Sequence, residues 1–168
     1  MAEELFPLVF IGPMAAGKSK IGRRVARNLG VPFVDTDKVI VAGHGPISEI
    51  FAHDGEEEFR NIERDTVAAA LHGDGVVSLG GGAVLDPLTR AALTRHTVIY
   101  LSVNATAAGK RIGGTKRPLL AGGITDWKRI FHERRPIYEE LATIHFDTSH
   151  RPIGSIADEI VTWVRKRP

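Results

Sequence analysis

Lys18 and Ser19 stand side by side behind a glycine frame, and together they have the chemistry to hold a chain of phosphates. The stretch Gly12-Pro13-Met14-Ala15-Ala16-Gly17-Lys18-Ser19 fits G-x-x-x-x-G-K-[ST]. At average composition the fixed positions coincide by chance in a chain of this size with a probability on the order of one per cent. In such a loop the unpaired backbone N–H groups and the helix dipole face the anion. The lysine reaches the β- and γ-phosphates, and the hydroxyl ligates Mg2+. The donor is therefore a nucleoside triphosphate with its metal. The acceptor has to be read from the other polar residues.

Four groups of residues are candidates. Asp35-Thr36-Asp37 closes an apolar run, and carboxylates at the end of a parallel strand sit where open α/β sheets bind ligands. At alternate positions of an extended segment the two share a face; the competing reading is that Asp37 caps a helix. Val76-Val77-Ser78-Leu79 runs into Gly80-Gly81-Gly82, whose amides carry no side chain to block a close ligand. No aspartate ends that strand, so the metal-associated carboxylate must come from elsewhere, and Asp35 is the natural candidate. Arg60 and Glu63 are three apart on one helical face, which by itself predicts a surface pair worth roughly a few tenths of a kcal/mol. Arg134 and Arg135 precede Pro136 in a later helical stretch and form either an anion site or a solvated basic face. The seven histidines show no H-x-x-x-H spacing, which argues against a histidine metal site.

Short apolar runs and helical periods alternate along the chain and must position these groups. Strands are expected at Leu8–Ile11, Pro32–Val34, Val76–Leu79, Val98–Leu101 and Ile144–Phe146. Helices are expected at Lys18–Leu29, Ile47–Ala52, Gly55–Leu71, Pro87–Thr94, Ala105–Arg111, Asp126–Ala142 and Ile156–Arg165. The alternation predicts an α/β fold with a mostly parallel sheet, and 168 residues suit one domain, 1–168. Residues 112–124 interrupt the pattern with Gly113-Gly114, Gly122-Gly123 and Lys116-Arg117-Pro118, the make-up of a flexible lid or of an ordinary surface loop. There is no cysteine, no apolar run of membrane-spanning length and an acidic N-terminus, so a cytoplasmic protein without a membrane partner is expected. A net charge of +2 with no basic block argues against nucleic acid.

Read together, the segments resemble the shikimate kinase family of small P-loop kinases. The matching stretches are Gly12 to Arg23, Asp35 to Asp37, Phe59 to Glu63, Leu79 to Val84, Lys116 to Leu120 and Arg134 to Ala142, in the family's order. The resemblance implies a three-layer P-loop fold with a five-stranded parallel sheet in the order 2-3-1-4-5, plus the lid and an acceptor-binding subregion at about 33–61. It implies ATP-dependent phosphorylation of the 3-hydroxyl of shikimate by a monomer using one Mg2+ ion. On that basis Gly12, Ala15, Ala16, Gly17, Lys18 and Ser19 hold the phosphates, and Ser19 and Asp35 serve the metal. Asp37 meets the shikimate hydroxyls; Arg60 and Arg134 clamp its carboxylate; Glu63 orients Arg60; Gly80, Gly81 and Gly82 line the acceptor. Arg117 reaches the transferring phosphoryl, and Arg111 and Arg151 flank the adenine.

The chain departs from the family pattern in a few places. Lys20 replaces a hydroxyl residue beside the phosphates, Ala15-Ala16 replaces Gly-Ser or Gly-Ala, Ile137 replaces Leu, and His44-Gly45 replaces Gly-Arg. A gluconate kinase of the same group is the nearest rival. A GTP-driven switch would need an N-K-x-D motif, which is absent.

Overall fold

The first strand dictates the architecture. β1 (Leu8–Ile11) is four apolar residues, all buried. Side chains alternate along a strand, so Leu8 and Phe10 enter one core while Val9 and Ile11 enter a second. A strand that is apolar on both faces needs helices on both sides, which parallel neighbours with helical crossovers provide. The computed structural model of the chain describes residues 5–113 and 120–168 and shows this arrangement. Arg117 and its neighbours Lys116 and Pro118 lie outside the described residues.

The remaining strands are β2 (Phe33–Asp35), β3 (Val76–Ser78), β4 (Thr97–Ser102) and β5 (Ile144–Asp147), and the sheet order is β2-β3-β1-β4-β5. All pairs are parallel, with Leu8 opposite Val76 on one side and Thr97 on the other. The helices are α1 (Lys18–Leu29), α2 (Thr36–His44), α3 (Ile47–Ala70), α4 (Pro87–Leu93), α5 (Ala105–Ile112), α6 (Ile124–Leu141) and α7 (Ile153–Arg165). One core takes Ile21 and Val25 from α1 and Ile156 and Ile160 from α7. The other takes Val67 from α3, Leu93 from α4 and Tyr138 from α6. A third, small cluster of Ile40, Ile50 and Phe59 joins α2 to α3 beside the sheet. Among the described residues no helix is long and apolar enough to cross a membrane.

Two expectations change. Residues 36–44 form α2, which the run Val39-Ile40-Val41 conceals because only Ile40 of the three is buried. The cap of that helix is Asp35 rather than Asp37, with Asp35 accepting from the amides of Asp37 and Lys38. Asp37 therefore lies in the first helical turn, and the shared-face argument for an extended segment does not apply to it. The two helices expected around residues 47–71 are present as the two parts of α3, separated at Gly55, whose left-handed φ of 85° favours glycine and breaks the helix. Pro136 sits inside α6.

Candidate active site

The phosphate loop joins β1 to α1. At Gly12, with φ 147°, an added Cβ would lie 2.1 Å from the Leu101 carbonyl oxygen, so only glycine fits between the loop and β4. Gly17 caps α1 in a left-handed conformation with no side-chain acceptor, leaving the first-turn N–H groups for a ligand. Lys18 Nζ donates to the carbonyls of Gly12 and Pro13 at 2.8 and 2.9 Å, so its ammonium arches back over the loop. Ser19 donates its hydroxyl hydrogen to Asp35 Oδ2 at 2.6 Å, which leaves its lone pairs for a cation. This pair of oxygen donors suits Mg2+, which keeps waters and phosphates in its shell and binds through few protein groups. Among the described residues no cluster of three or more His, Cys, Asp or Glu forms a dedicated metal cage.

Opposite the loop, the three glycines after β3 are the meeting point of the other candidates. A Cβ on Gly80 would lie 2.7 Å from Asp37 Oδ1 and 3.0 Å from Glu63 Oε2. One on Gly81 would lie 3.5 Å from Arg134 Nη1, and one on Gly82 would lie 2.5 Å from Arg60 Nη1 and Nη2. Each glycine thus makes room for one or two charged groups. The Tyr138 hydroxyl donates to the Gly81 carbonyl and pins this turn from α6. Burial pushes the Tyr138 phenol up to about 12, so it stays a donor.

Arg60 and Glu63 do pair, at 2.7 Å, but the surface reading fails because Glu63 is only 3% exposed. Burial pushes Glu63 above the ordinary carboxylate range, and Asp37 pushes the same way; Arg60 and Arg134 pull it down. The three charged groups that act on it, Arg60, Asp37 and Arg134, are the ones that meet at the glycine turn. Arg60 Nε is buried with no hydrogen-bond partner among the described residues, a donor left for an anion. Arg134 is 5% exposed, so it is no solvated basic face.

Loop and glycine turn share one cavity of about 710 Å3, with Lys18, Ser19, Asp35, Asp37, Arg60 and Glu63 on its walls. That size is in the range of small-molecule sites. Sequence reasoning missed its apolar wall: Phe51 and Phe59, rings 5.0 Å apart, which look like ordinary core residues of a helix. It also missed Thr148 and Trp127, which touch the loop from distant parts of the chain. Arg111 reaches the cavity and donates to the Ala15 carbonyl. Arg151 stands apart from it, paired with Glu159 and Ser155 along α7. Lys20 is exposed on the cavity wall.

The family model described as shikimate kinase matches residues 14–165. A shikimate kinase of Mycobacterium avium is 52% identical over 159 residues, covering 92% of this chain and 90% of that protein. The chain belongs to the shikimate kinase family. It is accordingly a kinase that phosphorylates shikimate, in aromatic biosynthesis. Among solved structures, shikimate kinase from Acinetobacter baumannii in complex with shikimate matches with a TM-score of 0.92 at 30% identity, covering 97% of this chain and 94% of that one. Shikimate kinase from Aquifex aeolicus matches with a TM-score of 0.80 at 30% identity, covering 94% and 95%.

Proposed function

We propose that the cavity transfers the γ-phosphoryl group of ATP to the 3-hydroxyl of shikimate, each substrate entering from its own end. The observation that carries this reading is the convergence of Asp37, Arg60, Glu63 and Arg134 on Gly80–Gly82, across one cavity from Lys18 and Ser19. Arg60 offers its buried Nε and its terminal nitrogens to the shikimate carboxylate, with Arg134 as the second cation. Glu63 holds Arg60 in that posture through the 2.7 Å contact. Phe51 and Phe59 supply an apolar surface for the carbon ring.

Phosphoryl transfer passes through a loose transition state, so positioning and charge stabilisation dominate. Asp37 accepts a hydrogen bond from the 3-hydroxyl, aligns it with the phosphorus and takes up its proton late. Lys18 leaves the loop carbonyls for the β- and γ-phosphate oxygens. Ser19 and Asp35 would hold one Mg2+, whose charge offsets that on the phosphates. Arg117, in the expected lid, adds a cation to the transferred group. Arg111 flanks the adenine from the cavity wall; Arg151 would join it only by releasing Glu159. One cavity that carries both the phosphate loop and the glycine turn among the described residues of a single chain supports a monomer, and the lack of cysteine fits a reducing compartment such as the cytoplasm.

A coupled ADP-release assay with ATP, Mg2+ and a panel of shikimate, quinate and gluconate tests this reading. Turnover is expected with shikimate well above the other two. Preference for gluconate, or ATP hydrolysis indifferent to every acceptor, would overturn it.

A further inference from the structure

Peptide geometry makes a demand that the phosphate loop cannot meet by itself. A trans peptide unit points its N–H and its carbonyl in opposite directions. For the N–H groups of Ala15 and Gly17 to face an anion, the carbonyls of Met14 and Ala16 must face away, and each needs a donor there; the Ala16 N–H is turned to Pro13 O at 3.3 Å instead. Three side chains from three elements donate to this run of loop carbonyls. Trp127 Nε1, early in α6, donates to Met14 O at 2.8 Å. Arg111 Nη1, at the end of α5, donates to Ala15 O at 2.9 Å. Thr148 Oγ1, just after β5, has Ala16 O at 2.8 Å and Ser102 O at 3.1 Å as acceptors for its one hydrogen, and Ala16 O is the shorter contact.

Thr148 is the pivot of this set. It is 2% exposed, and it also receives Arg111, on its hydroxyl at 3.2 Å and on its carbonyl at 2.6 Å. Its own amide is fixed to β4, donating to Ser102 O at 2.8 Å. The loop has a reason to relax if released, because Ala15 is held at φ 72°, a left-handed conformation that is costly for a residue with a Cβ.

We infer that Thr148 is a positioning residue for phosphoryl transfer: its hydroxyl, with the Trp127 indole, keeps the loop amides aimed at the nucleotide. The inference rests on the reading of the loop as the ATP end of the cavity. Thr148→Val keeps the side chain's shape while removing both the donor to Ala16 and the acceptor for Arg111. Steady-state kinetics with each substrate varied in turn should show KM for ATP raised about tenfold and kcat lowered, with KM for shikimate near the wild-type value. Thr148→Ser should restore KM for ATP, since the hydroxyl returns. Trp127→Phe keeps the stacking on Phe131, 5.0 Å away between ring centroids, and should show the same split in milder form. A lowered melting temperature with KM for ATP unchanged, or equal losses for both substrates, would overturn the inference. Should Thr148→Val not fold, an unchanged KM for ATP in Trp127→Phe overturns it alone. A wild-type enzyme inactive on shikimate would sink the functional reading instead, so the two failures are distinct.

Discussion

A methyl group added at Gly82 would land 2.5 Å from both terminal nitrogens of Arg60 and 2.7 Å from its Cζ. The backbone there, at φ −96° and ψ 0°, is the bridge conformation that L residues adopt at the third position of type I turns, so alanine is not excluded by the backbone itself. Non-bonded atoms need about 3.5 Å, so the guanidinium must withdraw by roughly 1 Å. Arg60 is a long side chain, 18% exposed, and can move without unfolding the domain. Its fork would then miss the shikimate carboxylate, and its bond to Glu63 would lengthen. A lost charge-assisted hydrogen bond is worth about 1.5–3 kcal/mol, which is about 10- to 150-fold in apparent affinity. Gly82→Ala should therefore raise KM for shikimate within that range while KM for ATP stays near wild type. The assay is ADP release with one substrate varied at a time. Gly43→Ala is the control, since a methyl there meets nothing within 4 Å. An unchanged KM for shikimate in Gly82→Ala would refute the clamp assigned to Arg60, and a raised KM for ATP instead would put Arg60 at the wrong end of the cavity.

Other perturbations separate the remaining roles. Asp37→Asn should lower kcat by about 10²–10⁴-fold with a far smaller change in shikimate affinity; a large KM rise with modest loss of kcat would make Asp37 a binding residue only. Arg117→Ala should leave shikimate binding, measured by calorimetry, nearly intact while turnover collapses; parallel losses would break that division of labour. Glu63 is raised by burial above its ordinary 4.5, with Arg60 opposing. A carboxyl raised in the fold stabilises below its unfolded value, and that contribution is lost as pH rises through its folded value. The substrate-free wild type should therefore lose melting temperature relative to Glu63→Gln as pH climbs above 4.5, and parallel curves would contradict the burial argument.

Local pattern carried much of this molecule. The phosphate loop, the exact span of α1 and the apolar strands β1 and β4 follow from short-range spacing, because one element creates each signal. The pairing of Arg60 with Glu63 was legible for the same reason, but its burial was not, since Gly80 and Asp37 cover it from other segments. Helix α2 was legible only through the competing reading in which Asp37 caps a helix, because its true cap, Asp35, has the position of a ligand-facing carboxylate; in the fold Asp35 serves both α2 and Ser19. Thr148 and Trp127 were illegible in principle: each acts on a carbonyl more than a hundred residues away, and nothing near them in sequence marks that contact. The strand order and the acceptor came from resemblance to a family rather than from periodicity, and the parallel registers agree with that order.

The central claim is that one cavity brings the γ-phosphoryl of ATP to the 3-hydroxyl of a carboxylate held by Arg60 and Arg134. Phosphorus NMR of the wild-type reaction, followed to completion with limiting shikimate, tests it most directly. The account predicts a single phosphomonoester at the 3-position, formed mole for mole with ADP. Inorganic phosphate released without ester, or a phosphate on a different hydroxyl, would contradict it.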